Sequence, residues 1–85
     1  MTPLRVPKPL KKSLRKKPPA MQAAIAACIV QLRADHRHPG LHTHKVRGTK
    51  GVWECYVDQK NRLTFFWDGP MIVLENHCPH KVVER

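Results

Sequence analysis

The stretch Val52–Cys78, VWECYVDQKNRLTFFWDGPMIVLENHC, decides the fold. In its first run Trp53, Cys55 and Val57 alternate with Glu54, Tyr56 and Asp58. In its second, Leu63, Phe65 and Trp67 alternate with Arg62, Thr64 and Phe66. A period of two puts successive side chains on opposite faces of a strand, so each run has one apolar face and one mixed face. The polar DQKN and the tight DGP separate these runs from each other and from a third, MIVLEN, as turns separate the strands of a meander. Trp53, Tyr56, Phe65, Phe66 and Trp67 all fall here, so the core is densest under this sheet. LHTHKVRG, just upstream, reads as a further strand closed by Gly48 and Gly51.

The apolar face needs a cover, and the N-terminal half supplies one. LKKSLRKK spaces Leu10 and Leu14 four apart, a short helix with one apolar edge and five cations. Pro18 and Pro19 end it and open the next, Pro19 suiting a first helical position. From there Met21, Ile25, Cys28, Ile29 and Leu32 recur at helical spacing until HPG, where Pro39 and Gly40 break the pattern. Before the hairpin, TPLRVPKP carries prolines at 3, 7 and 9, too many for a central strand. The expected fold is therefore α+β: a helical hairpin packed on a three- to four-stranded antiparallel sheet. Residues 1–85 form a single domain, with residues 1–9 a basic, proline-rich arm or an edge strand.

Charge narrows the function. Sixteen Lys and Arg face six Asp and Glu, a net charge of +10 on 85 residues, and the first 34 hold eight bases and no acid. Such an excess points to a polyanionic partner: nucleic acid, an anionic membrane or an acidic protein. Three cysteines without CxxC spacing give no disulfide framework and fit a reducing, cytoplasmic setting. The apolar run after Lys17 is short and interrupted by Gln22, which argues against a secretory leader, and no segment approaches membrane-spanning length.

The polar face of the strands carries the candidate chemistry. Glu54, Tyr56, Arg62 and Thr64 share it, and Glu75 and His77 join if Ile72 and Leu74 point inward; His80 follows. Lys45, Arg47 and Lys50 rim this surface. Arginine can hold phosphate oxygens bidentately, and histidine moves protons near neutral pH. The bland counterparts are a cross-strand Arg62–Glu54 ion pair and surface histidines on a terminal strand. HxH at 36/38 and 42/44, with HCxH at 77–80, supplies metal-ligand types in number. The paired spacing of structural zinc is absent, so no metal or other cofactor is expected.

From Pro39 onward the pattern resembles the RelE/ParE superfamily of bacterial toxin–antitoxin systems. The residues that carry the resemblance are Pro39-Gly40-Leu41, His44-Lys45-Val46, Gly48, Gly51-Val52-Trp53, Arg62, the Ile72–Leu74 run and His80, following a helical hairpin. The resemblance implies a small basic toxin that enters the ribosome and cuts mRNA. The RNA 2′-hydroxyl would be the nucleophile and no metal would be needed, and an acidic antitoxin would bind and neutralise the toxin in a hetero-oligomer. The family arginine maps onto Arg62 and its late histidine onto His80. Arg62, His80 and His77 would be catalytic, with Glu54 or a histidine of HTH as base, and Lys45, Arg47, Lys50, Tyr56 and Lys81 would hold RNA.

Three features depart from the family. The lysines that some members carry beside Glu54 and Tyr56 are missing, HKVVER lacks the terminal tyrosine, and the proline-rich arm replaces the usual first strand. A ParE-like gyrase poison and a non-catalytic nucleic-acid-binding module of the same fold are the alternative functions.

Overall fold

The computed structural model describes residues 1–79. Its elements run β1 (Leu4–Arg5), α1 (Lys8–Arg15), α2 (Pro19–Ala34), a 3₁₀ turn (Pro39–Leu41), β2 (His44–Lys45), β3 (Trp53–Tyr56), β4 (Asn61–Asp68) and β5 (Met71–Pro79). The strands form one five-stranded sheet in the order β1-β5-β4-β3-β2, with two helices against it.

Both helices open on prolines, whose missing N–H costs nothing in the first turn. Ile25, Cys28 and Leu32 of α2 are buried as their spacing requires, and Leu10 of α1 joins them. Opposite lie Cys55, Leu63, Phe65, Ile72 and Leu74, each without exposed surface. Removing a leucine from such a site costs roughly 2–5 kcal/mol. Helix α2 ends at Ala34, with Asp35 extended, several residues before the expected Pro39-Gly40 break.

The proline-rich arm is a strand. Leu4 and Arg5 run parallel to β5, paired with Ile72 and Val73, and Ile72 N–H donates to Pro3 C=O at 2.9 Å. Thr2 N–H donates to Arg33 C=O at 2.9 Å, and Arg33 Nε to Thr2 C=O at 3.0 Å, which anchors the arm to α2. The sheet therefore has five strands and is mixed, not three or four and purely antiparallel. Flanking prolines confine β1 to two residues at the sheet edge.

LHTHKVRG contributes only His44 and Lys45 as strand. Beyond them Val46 N–H closes on Val52 C=O at 2.9 Å around a loop in which Gly48 and Gly51 take positive φ. DQKN is a side-chain-built turn: Asp58 Oδ1 accepts from the Lys60 and Asn61 amides, both at 2.8 Å. Desolvation pushes the Asp58 carboxyl up, but donation from Asn61 and Lys60 outweighs it and holds the group below its ordinary value.

The strand β5 differs most from the simple alternation. Thr64 pairs with Asn76 but Phe65 with Leu74, so Glu75 is an extra residue, a β-bulge. The Asn76 side chain accepts from the next backbone N–H, that of His77, at 2.9 Å, taking a donor out of the ladder at this point. Ile72 and Leu74 point inward as expected. Past the bulge the parity reverses: His77 pairs with buried Leu63, and Cys78 with Arg62. Residues opposite each other across a ladder share a face, so His77 lies on the helix side.

Candidate functional site

The open face of the sheet gathers its chemistry where β2, β3 and β4 run side by side. Register sets the members: His44 opposite Glu54, Glu54 opposite Thr64, Tyr56 opposite Arg62, and Arg62 opposite Cys78. His44 Nε2 lies 3.1 Å from Glu54 Oε1, and His44 Nδ1 lies 2.7 Å from the His42 carbonyl. Both partners are acceptors, and the imidazolium form donates to both. Glu54 keeps about a quarter of its side chain exposed.

Tyr56 is the hub. Its ring centroid lies 4.6 Å from that of His42 and 6.4 Å from that of His44, and the Arg62 guanidinium carbon sits 3.4 Å from it. His42 reaches Tyr56 from a left-handed backbone, φ 50°, at the end of the 3₁₀ turn, where its amide donates to Pro39 C=O at 3.2 Å. A non-glycine residue in that region is uncommon and is held there by its surroundings.

Arg62 is on the expected face but is not exposed: only 3% of it is accessible. Its Nη1 donates to the Asp58 carbonyl at 2.6 Å and to the Asn61 carbonyl at 3.1 Å, while buried Nε has no partner. The cross-strand ion pair with Glu54 is absent among the described residues; Glu54 pairs with His44 instead. Arg62 is thus a positive charge just beneath the surface, clamped by two carbonyls and a phenol ring.

His77 does not join this group, which corrects its expected placement beside Arg62. Its Nε2 lies 3.0 Å from Asn61 Oδ1. Asn61 Nδ2 donates to Asp58 Oδ1 at 3.0 Å, so Oδ1 of Asn61 accepts and His77 Nε2 carries the proton. Buried Nδ1 is left bare. Burial, then the Lys17 cation just past the end of α1, push the imidazole below its ordinary value against the opposing pull of Asp58. Cys78 takes the place expected for His77. Burial and then the carboxylates of Glu54 and Glu75 raise its thiol, which therefore stays protonated.

The rim is also rearranged. Lys45 pairs with Trp53, and its Nζ lies 5.6 Å over the indole, so it belongs to the helix-side edge rather than to the Tyr56 face. Arg47 and Lys50 are exposed on the Val46–Val52 loop. His80 and Lys81 lie outside the described residues. Among the described residues no three His, Cys, Asp or Glu side chains converge as a metal site. No helix there is long and apolar enough to cross a membrane.

No known family profile and no curated protein sequence matches the chain. Solved structures do. The fold is similar to a chain of the archaeal RelE–RelB complex from Pyrococcus horikoshii OT3, with a TM-score of 0.74 at 17% identity over 95% of this chain and 98% of that one. It is similar to a chain of the toxin–antitoxin complex RelBE2 from Mycobacterium tuberculosis, with a TM-score of 0.75 at 17% identity over 93% and 98%. A mutant of the E. coli toxin RelE in the free state superposes with a TM-score of 0.69 at 14% identity over 98% and 87%. The chain has the RelE-like toxin fold.

Proposed function

We propose that the chain is the toxin of a toxin–antitoxin system and acts as a ribosome-dependent mRNA endonuclease that cuts without a metal, through the RNA 2′-hydroxyl. The observation that carries this reading is the row His44–Glu54–Tyr56–Arg62 on the open sheet face, within a strongly basic protein of RelE-like fold. Glu54 offers its free oxygen as the base that takes the 2′-hydroxyl proton, and His44 holds the carboxylate in place. Arg62 supplies positive charge under the phosphate from a water-poor position, where charge acts more strongly than in bulk solvent. Direct contact requires the Tyr56 ring to move aside.

Attack and departure occur on opposite sides of the phosphorus, so one His44–Glu54 pair cannot serve both ends. The leaving 5′-oxygen then takes its proton from another donor, the role given to His80. His77, held neutral on the other face, positions Asn61 and the carbonyl that grips Arg62. Arg47, Lys50 and Lys81 attract the RNA backbone, and Tyr56 stacks on a base when displaced from Arg62. An acidic antitoxin segment that folds on this basic surface is the expected partner.

The hold of two backbone carbonyls on Arg62 Nη1, beneath the Tyr56 ring, favours one second reading, a binding module of the same fold that does not cut. Inducing the wild type and a Glu54→Ala, Arg62→Ala variant in cells, and mapping mRNA 5′ ends, separates the two. New ends within translated frames in the wild type alone support the nuclease; growth arrest without new ends supports the binding module.

A further inference from the structure

Behind the Tyr56 face lies a pair of thiols that the proposed chemistry does not use. Cys28 of α2 and Cys55 of β3 are both buried, and their sulfurs stand 3.8 Å apart. From this juxtaposition we propose that Cys28 and Cys55 are an oxidisable pair that closes to a disulfide with peroxide and thereby reshapes the Glu54–Tyr56 strand.

A disulfide needs sulfurs about 2.05 Å apart, so the two sulfur atoms must close by roughly 1.8 Å through side-chain rotation and a shift of helix against strand. The two side chains already face each other across the core, and the link would span 27 residues of chain. Cys28 also donates its S–H to the Tyr56 carbonyl at 3.5 Å, which ties the pair to the ring that covers Arg62. With the Cys28 S–H directed at that carbonyl, the proton between the two sulfurs is the one the Cys55 thiol donates to Cys28. That bond lowers Cys28, although burial opposes it, and pushes Cys55 up. Cys28 is therefore the sulfur that loses its proton first, and the thiolate is the nucleophile.

The chemistry balances with one peroxide. The Cys28 sulfur attacks one peroxide oxygen, the O–O bond breaks, and a sulfenic acid and one water result. The Cys55 sulfur attacks the sulfenic sulfur and gives up its proton; the S–S bond forms as the hydroxyl leaves in a second water. Peroxide is small enough to enter a packed core during local opening, where larger disulfide oxidants are excluded. Once closed, the link removes the S–H donor from Tyr56 C=O and draws β3 toward α2, moving Glu54 and Tyr56 relative to Arg62.

The test uses the whole wild-type chain treated with hydrogen peroxide, alkylated under denaturing conditions and digested, beside Cys28→Ser and Cys55→Ser controls. The expected result is a linked Cys28–Cys55 peptide, with both thiols lost together and restored by reductant, while Cys78 reacts separately. Amide resonances of residues 54–56 and 62 shift on closure and return on reduction. Separate sulfinic acids at Cys28 and Cys55, a Cys78 cross-link in place of this one, or closure without those shifts would overturn the proposal. None of these readouts depends on RNA cleavage, so the proposal stands or falls apart from the nuclease reading.

Discussion

Arg62 lies over the ring of Tyr56, its guanidinium carbon 3.4 Å from the ring centroid, across the β3–β4 pair. The contact joins two strands, two turn carbonyls and the open face into one unit. A planar guanidinium can stack and bond at once, which an ammonium cannot. Arg62→Lys therefore loses the stack and the clamp on Asp58 and Asn61 while leaving a buried charge. The expected cost is about 1–3 kcal/mol in urea unfolding, with the midpoint lowered and the slope unchanged. An unchanged midpoint would mean that the clamp contributes no stability.

His77 makes stability depend on pH. Its imidazole is lowered in the fold, so below the ordinary value of 6.5 the unfolded chain binds the proton more readily. Its contribution is present above that value and is lost as pH falls through the lowered folded value. His77→Gln, which keeps a donor toward Asn61, should flatten this part of the stability profile, measured as unfolding midpoints between the two values. A profile identical to wild type would remove His77 as the source.

Deletion of one residue from a buried strand normally turns every following side chain to the wrong face. Glu75 is the exception, because it is the bulge. Deleting it regularises the ladder and keeps His77 opposite Leu63 and Cys78 opposite Arg62. The Glu75 deletion should fold and unfold cooperatively, whereas deletion of Val73 should not yield a folded protein. Loss of folding on Glu75 deletion would show that the bulge itself is required.

Arg47 and Lys50 stand on an exposed loop and are expected to act on the RNA backbone alone. Replacing both with Gln should weaken single-stranded RNA binding equally across sequences and lower the logarithmic salt slope by about one to two. A changed base preference with an unchanged slope would place them at bases instead.

The alternation of VWECYVD and RLTFFWD, with the α2 stripe, is a direct consequence of burial, and it made the helices, the main strands and the core legible. Glu54, Tyr56 and Arg62 were brought to one face by the same period. The bulge was not legible, because Glu75-Asn76 carries no glycine or proline to mark it, and so His77 and Cys78 exchanged faces. The Leu4–Arg5 strand was legible only as one of two readings, arm or edge strand, because its prolines limit an edge strand without forbidding it. Lys45 went astray because β2 is only two residues long, so its face follows from pairing with Trp53. His44 stood in HTH as one of several histidines, and only its register opposite Glu54 singles it out.

Glu54 is the residue on which the proposed chemistry turns. Glu54→Gln keeps the size of the side chain and removes the base, and it should lower cleavage about a hundredfold or more in a folded protein. Retained cleavage would move the base elsewhere, to His44 first.

The most direct measurement places purified protein on ribosomes programmed with an mRNA that carries a single 2′-deoxynucleotide at the mapped cut. The all-ribose message should be cut, with a 5′-hydroxyl on the downstream fragment, and the substituted position should stay intact. Cleavage that survives the loss of that 2′-hydroxyl, or no cleavage of the all-ribose message, would contradict the proposed chemistry.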